Sequence, residues 1–230
     1  MGLNDELVAR VDSVFSDSWT HVDARVVPET KNLSMGNSGK KLKATVLYAD
    51  LDASTALVEK FTSEFAAEVY KAFLYCASRV VRSEGGEIRS FDGDRVMGIF
   101  MSDSKNTSAA RAALKINYAV RSIVNPVLSK RYPSTSYSVR HTVGVDTSEM
   151  LAVRVGFRDR NDITWVGRAA NYAAKMNALS SEFGCYITSD VYSSMNGSVK
   201  FGGRPERAMW EPVNWDGRQI YRSNWAWRVD

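Results

Sequence analysis

The sequence predicts an α+β fold built on a ferredoxin-like β-α-β-β-α-β core, with strands added at the C-terminal end and a helical arm at the N-terminal end. Three observations predict it. An apolar strand pattern, LKATVLYAD (42–50), runs straight into a polar segment and then into helical periodicity. A Gly85–Gly86 pair precedes two short strand patterns, EIRSF and RVMGIF, separated by a tight Asp-Gly-Asp turn. A long amphipathic pattern, SAARAALKINYAVRSIV, is followed by another strand pattern, YSVRHTVGVD.

The remaining elements follow in order. Leu3, Leu7, Val8, Val11, Val14 and Phe15 recur at helical spacing, and VPETKNLSMGNSGKK is polar and turn-rich. Residues 1–42 thus read as a helix and linker arm, and residues 43–230 as the main domain. Ser54 or Thr55 can cap the helix through LVEKF, and EFAAEVYKAFLYCASRVV continues as a long helix. DITWVG is a strand leading into the helix RAANYAAKMNALS, and CYITS is a short strand. The tail holds Trp210, Trp215, Trp225 and Trp227, which read as packing or edge-strand residues, with stacking on a base as the alternative.

Composition narrows the function. The chain has 230 residues, 44% of them apolar and 24% charged, which is ordinary for a globular protein able to bury a core. No apolar run approaches the roughly 18 residues of a membrane span. The N-terminus, MGLNDELVAR, carries acids and no apolar run, unlike a secretory signal, and lacks the hydroxyl residue of a myristoylation pattern. Cys76 and Cys185 stand far apart in apolar company, without metal-ligand spacing, and read as reduced core residues. A cytoplasmic protein is the expectation. The net charge is +4, with basic residues scattered and only GKKLK clustered. No basic face interleaved with aromatics suggests nucleic acid, whereas a mildly basic surface suits an anionic small substrate.

The chemistry centres on acids. Asp50 ends one strand and Asp94 sits in the hairpin turn of the next two, and in a ferredoxin-like sheet those strands are neighbours. Two converging carboxylates repel, and a hard divalent ion such as Mg²⁺ or Mn²⁺ relieves that, with phosphate oxygens completing its shell. The competing reading has each acid capping a turn. Asp52 and Asp92 lie two residues away and read as helix-start and turn residues. Asn171 and Lys175 are four apart, on one face of a helix. Asn can hydrogen-bond a sugar and Lys can neutralise growing phosphate charge, but a solvated face is the alternative.

Taken together, YADLDAST, GGEIRSFDGDRVMGIF, VGVDTSEMLA and DITWVGRAANYAAKM, in this order and spacing, resemble the class III nucleotidyl cyclase catalytic domain over 42–189. The resemblance implies that Asp50, Asp94 and the Leu51 carbonyl hold two divalent ions, Mn²⁺ or Mg²⁺. Asn171 matches the ribose-orienting asparagine, and Lys175 stands where the family has a transition-state arginine. The reaction implied is attack of the ribose 3′-oxygen on the α-phosphate of a nucleoside triphosphate, expelling pyrophosphate. The family pairs head to tail, so a homodimer with two equivalent sites is implied.

The departures are informative. Lys for Arg at 175 keeps charge and loses the planar fork. Thr142 replaces a common triphosphate-binding arginine, and Arg140 on the same strand is a substitute. The positions of Ser90 and Thr164, which read purines in the family, carry small hydroxyls here. Tyr48 shares a sheet face with Asp50 and can narrow the pocket for a smaller base, or serve as core. This set resembles the pyrimidine cyclases of bacterial anti-phage defence, which make cyclic UMP or cyclic CMP for a downstream effector. UTP is favoured over CTP. A purine cyclase with an atypical base pocket and an inactive nucleotide-binding dimer module are the alternatives.

Overall fold

The computed structural model describes residues 2–157 and 159–229. In chain order the elements are α1 (Leu3–Ser16), β1 (Thr20–Asp23), β2 (Ser38–Leu51), α2 (Ser54–Lys60), α3 (Ser63–Ser83), β3 (Glu87–Asp92), β4 (Arg95–Phe100), α4 (Lys105–Ala119) and α5 (Asn125–Arg131). There follow β5 (His141–Gly156), β6 (Asn161–Gly167), α6 (Arg168–Met176), β7 (Cys185–Thr188), α7 (Ser189–Ser194), β8 (Phe201–Gly202), β9 (Arg207–Ala208), β10 (Glu211–Trp215) and β11 (Arg218–Ser223). The chain divides into two compact units, one of Met1–Lys43 with Glu149–Gly167 and one of Ala44–Ser148 with Arg168–Asp230.

In the smaller unit, β1 pairs in parallel with the start of β2, from Thr20 opposite Ser38 to Asp23 opposite Lys41. The end of β5 pairs antiparallel with β6, Met150 opposite Gly167 and Gly156 opposite Asn161. The apolar residues of α1 do recur at helical spacing, yet no residue of this helix is buried.

In the larger unit the strands run β10-β11-β7-β5-β2-β4-β3. The β5-β2-β4-β3 part carries the β-α-β-β-α-β connectivity, the ferredoxin-like core of the sequence reading, and β7, β11 and β10 extend it. Alternation along β2 sends Leu47, Ala49 and Leu51 to one face and Val46, Tyr48 and Asp50 to the other. The first set joins one core cluster with Phe73 and Val81 of α3, Ala109 and Ala113 of α4, and Val143 and Val145 of β5. Phe73 is fully buried. Truncating such a residue to Ala typically costs about 3–5 kcal/mol.

On the opposite face α6 seats against β5 at Gly144. A Cβ there would lie 2.2 Å from the Ala173 carbonyl oxygen, so only glycine admits the helix this closely. Met176 of α6 is buried with Tyr186 of β7 and Ile220 of β11.

Three local details differ from expectation. Neither Ser54 nor Thr55 caps α2: the cap position is Ala53, held in the left-handed region at φ 56°, with no side-chain cap bond. The long pattern after β4 is not one uniform helix but is interrupted by a π-turn at Val120–Val124 between α4 and α5. The expected strand at 137–146 begins later and runs on to Gly156 as β5. The tail tryptophans pack: Trp210 is buried with its indole N–H donating to the Val199 carbonyl at 2.7 Å, Trp225 and Trp227 cover the core, and Trp215 meets Tyr172 edge-on. Both cysteines are free thiols, Cys185 fully buried and Cys76 partly so. No helix among the described residues is long and apolar enough to cross a membrane.

Candidate active site

Two acid-bearing segments meet because of how β2, β3 and β4 pair. β4 lies between β2 and β3, with Ala49 opposite Val96 and Asp92 opposite Arg95. The two-residue turn Gly93–Asp94 needs a positive φ at its first position, and Gly93 supplies it at 60°. Asp94 therefore stands at the end of the hairpin next to the C-terminal end of β2, where Asp50 lies.

The electrostatics reflect this closeness. Burial first, and then the negative charge of Asp94, push the Asp50 carboxyl up to about 6, against opposing effects of Arg95 and the Leu51 backbone hydrogen bond. Asp94 Oδ2 is buried and has no hydrogen-bond partner among the described residues. The neighbouring acids are different. Asp92 pairs with Arg95 at 2.6 Å, and Asp52 pairs with Arg140 at 3.0 Å while accepting a hydrogen bond from Ser181 Oγ at 2.6 Å. Arginines thus neutralise the outer two acids and leave the inner two facing each other. An orphan carboxylate oxygen beside a carboxyl reluctant to ionise is a donor set that suits a hard divalent cation. Among the described residues no group of three or more His, Cys, Asp or Glu gathers as a ready-made cage.

Tyr48 lies on the same face as Asp50 and is half-buried. Burial raises its phenol above the ordinary value, and its hydroxyl donates to Met97 Sδ at 3.2 Å. Met97 is the strand neighbour of both Tyr48 and Ser90, so these side chains form a row across β2, β4 and β3. The Arg95 guanidinium sits 5.2 Å from the centre of the Tyr48 ring. Asn171 and Lys175 are exposed on α6, over β5 and β7 rather than over the carboxylates. Arg140 is exposed and is held by Asp52 and Ser181, while Thr142 is buried. Thr164 is exposed on β6 of the smaller unit, opposite Val153.

Three contributors escaped the sequence reading. Arg95 bridges the hairpin to Tyr48, Ser181 ties Arg140 to Asp52, and Tyr137 has a phenol that feels the charges of Asp52 and Asp94. Of these only Arg95 carried a sequence signal, a cation directly after the Asp-Gly-Asp turn. Arg89 and Arg168 are engaged elsewhere, Arg89 with Glu87 and Arg168 with Asp146 and Asp190.

Comparison with known proteins identifies the class. The crystal structure of the guanylyl cyclase Cya2 superposes with a TM-score of 0.68 at 19% identity, covering 82% of this chain and 94% of that one. The adenylyl cyclase CyaB from P. aeruginosa gives 0.64 at 23% identity, covering 80% and 95%. Both likenesses speak for the fold. A uridylate cyclase from Xanthomonas perforans is 44% identical over 234 residues, and one from Burkholderia cepacia 46% over 233, each match spanning all of both chains. A third, from Rhodovulum, is 34% identical over 236 residues. No protein-family model matches. The chain is a class III nucleotidyl cyclase and belongs to the uridylate cyclase family.

Proposed function

We propose that this cyclase converts UTP to 3′,5′-cyclic UMP and pyrophosphate, as a homodimer with the two halves of each site on opposite subunits. The observation that carries the reading is the inner acid pair, Asp50 with its raised carboxyl and Asp94 with a buried oxygen that has no hydrogen-bond partner among the described residues. Full-length relatives named uridylate cyclases support the choice of base.

Asp50, Asp94 and the Leu51 carbonyl would hold two Mn²⁺ or Mg²⁺ ions, which supply charge neutralisation and a more acidic ribose 3′-hydroxyl. Asn171 of the other subunit orients the ribose. Lys175, exposed one helical turn on, places its ammonium against charge that grows as the α-phosphate transfers. Arg140 holds Asp52 and Ser181 through one terminal nitrogen, and its remaining N–H donors take a phosphate oxygen. Tyr48 narrows the base pocket, and Ser90 and Thr164 offer hydroxyls to uracil in place of purine-reading side chains. Cyclic UMP is then a messenger for a separate effector in the cytoplasm, in anti-phage defence.

Purified protein incubated separately with ATP, GTP, CTP and UTP plus Mn²⁺, with products identified by mass spectrometry, tests this. Cyclic UMP as the main product is expected. Cyclic CMP as the main product overturns the preference for uracil. Cyclic AMP or cyclic GMP as the main product overturns the base-pocket reading altogether.

A further inference from the structure

Away from the carboxylates, on the helical side of the larger unit, lies a cavity of about 300 Å³. Phe65, Val69 and Cys76 of α3 form one wall, and Val124, Leu128 and Tyr132 the other. The second wall includes the π-turn Val120–Val124, and such turns, which widen a helix locally, recur at functional sites. We propose that this cavity is a regulatory site for a small uncharged aromatic molecule, whose occupancy reaches the metal-binding end of β2 through Phe65 and Tyr137.

The chemistry of the walls selects the ligand class. The lining is almost wholly hydrocarbon, with the exposed side chains of Glu68 and Arg131 its only charged members, so an ion seated against the walls would lose its hydration with little compensation. Glu68, at one edge, is already engaged by the Tyr132 hydroxyl. Phe65 and Tyr132 meet edge-to-face at 4.9 Å, and Tyr75, 68% exposed, stands at the mouth. Ring edges together with the Cys76 sulfur favour an aromatic guest. The volume lies at the small end of ligand pockets and is too small for a partner helix.

A continuous chain of ring contacts leads from the cavity to Tyr137, whose phenol feels the charges of Asp52 and Asp94. Phe65 stacks on Phe61 with centroids 4.8 Å apart, and both meet Tyr137 edge-on, at 5.7 and 5.4 Å. The Tyr137 hydroxyl is buried without a hydrogen-bond partner among the described residues. Burial pushes this phenol up to about 12, with Tyr70, Asp52 and Asp94 acting in the same direction. An unsatisfied hydroxyl that close to the metal-binding acids has a reason to move when Phe65 moves. The regulatory consequence rests on the metal reading above; the site and its link to Tyr137 do not.

The test uses the full chain with ¹³C-labelled tyrosine rings, titrated with 2-naphthol and followed by NMR. Saturable shifts of Tyr75 and Tyr132 are expected, accompanied by a smaller shift of Tyr137. Ala72→Phe, which fills the cavity from an exposed position on α3, should weaken the apparent affinity at least tenfold, and Val127→Asp at the mouth should do the same. Shifts that never saturate, or that survive both substitutions, overturn the site. Tyr132 responding while Tyr137 stays fixed overturns the coupling. Neither reading needs metal or turnover, so a failed metal site shows separately, as absent Mn²⁺ binding in an otherwise responsive protein.

Discussion

Two regions of the larger unit bury acids and treat them in opposite ways. Asp146 is fully buried, and its charge is answered within the chain: Arg168 reaches it at 3.1 Å and the Thr188 hydroxyl donates to it at 2.6 Å. Asp50 and Asp94, less deeply placed, repel each other with only the Leu51 backbone and the nearby Arg95 to offset it at Asp50, and Asp94 Oδ2 has no hydrogen-bond partner among the described residues. An acid that serves the fold brings its counter-charge with it. An acid that serves chemistry leaves room for a cation that is not part of the chain.

That contrast can be broken or sharpened by substitution. Asp50→Ala should leave the fold intact, with no loss of thermal stability, and lower Mn²⁺-dependent turnover by about 10³-fold or more, because charge stabilisation of the transferring phosphate goes with it. A variant that still cyclises nucleotide at a tenth of the normal rate would place the metal elsewhere. Asp146→Ala should do the reverse. It leaves the buried Thr188 hydroxyl without its acceptor, while Arg168, partly exposed, keeps Asp190, and should cost about 2 kcal/mol of stability, measured by urea unfolding. Lys175→Ala should reduce kcat by about 10²-fold with little change in KM, since its charge matters as the transition state forms.

The smallest effect is the most diagnostic. Asp50 holds its proton more tightly in the folded chain than in the unfolded chain. Its ionisation therefore costs stability that is absent below the ordinary value of 3.8 and fully present above about 6. Discounted for partial exposure, the cost is about 1 kcal/mol. Asp50→Asn without divalent ions should raise Tm by about 2–4 °C at pH 8. The gain should vanish as the pH falls through that window, and added Mn²⁺ should reverse it by stabilising only the unsubstituted protein.

The sequence carried the element order because the periods differ so clearly. Two-residue alternation marks β2, and apolar residues three and four apart mark α3. The Asp-Gly-Asp turn was equally legible, since a glycine between two short strands has few other uses. What was not legible depended on through-space partners. Nothing in the chain order says that Arg140 lies beside Asp52, or that Arg95 lies over Tyr48. The π-turn was hidden because its apolar residues continue the helical pattern around them. Ala53 shows no capping chemistry, so its left-handed conformation could be found only in the structure.

The glycine under α6 has a last consequence. With carbonyl and backbone in direct van der Waals contact at Gly144, the helix bearing Asn171 and Lys175 is seated by shape along its length, with the Arg168–Asp146 ion pair at its start adding to that seat. Ionic strength weakens capture of a triphosphate at an exposed surface far more than it loosens close packing and a pair whose carboxylate is fully buried. Salt should therefore cost this enzyme its grip on substrate before it costs it alignment. A methyl group at position 144 should cost alignment at any salt.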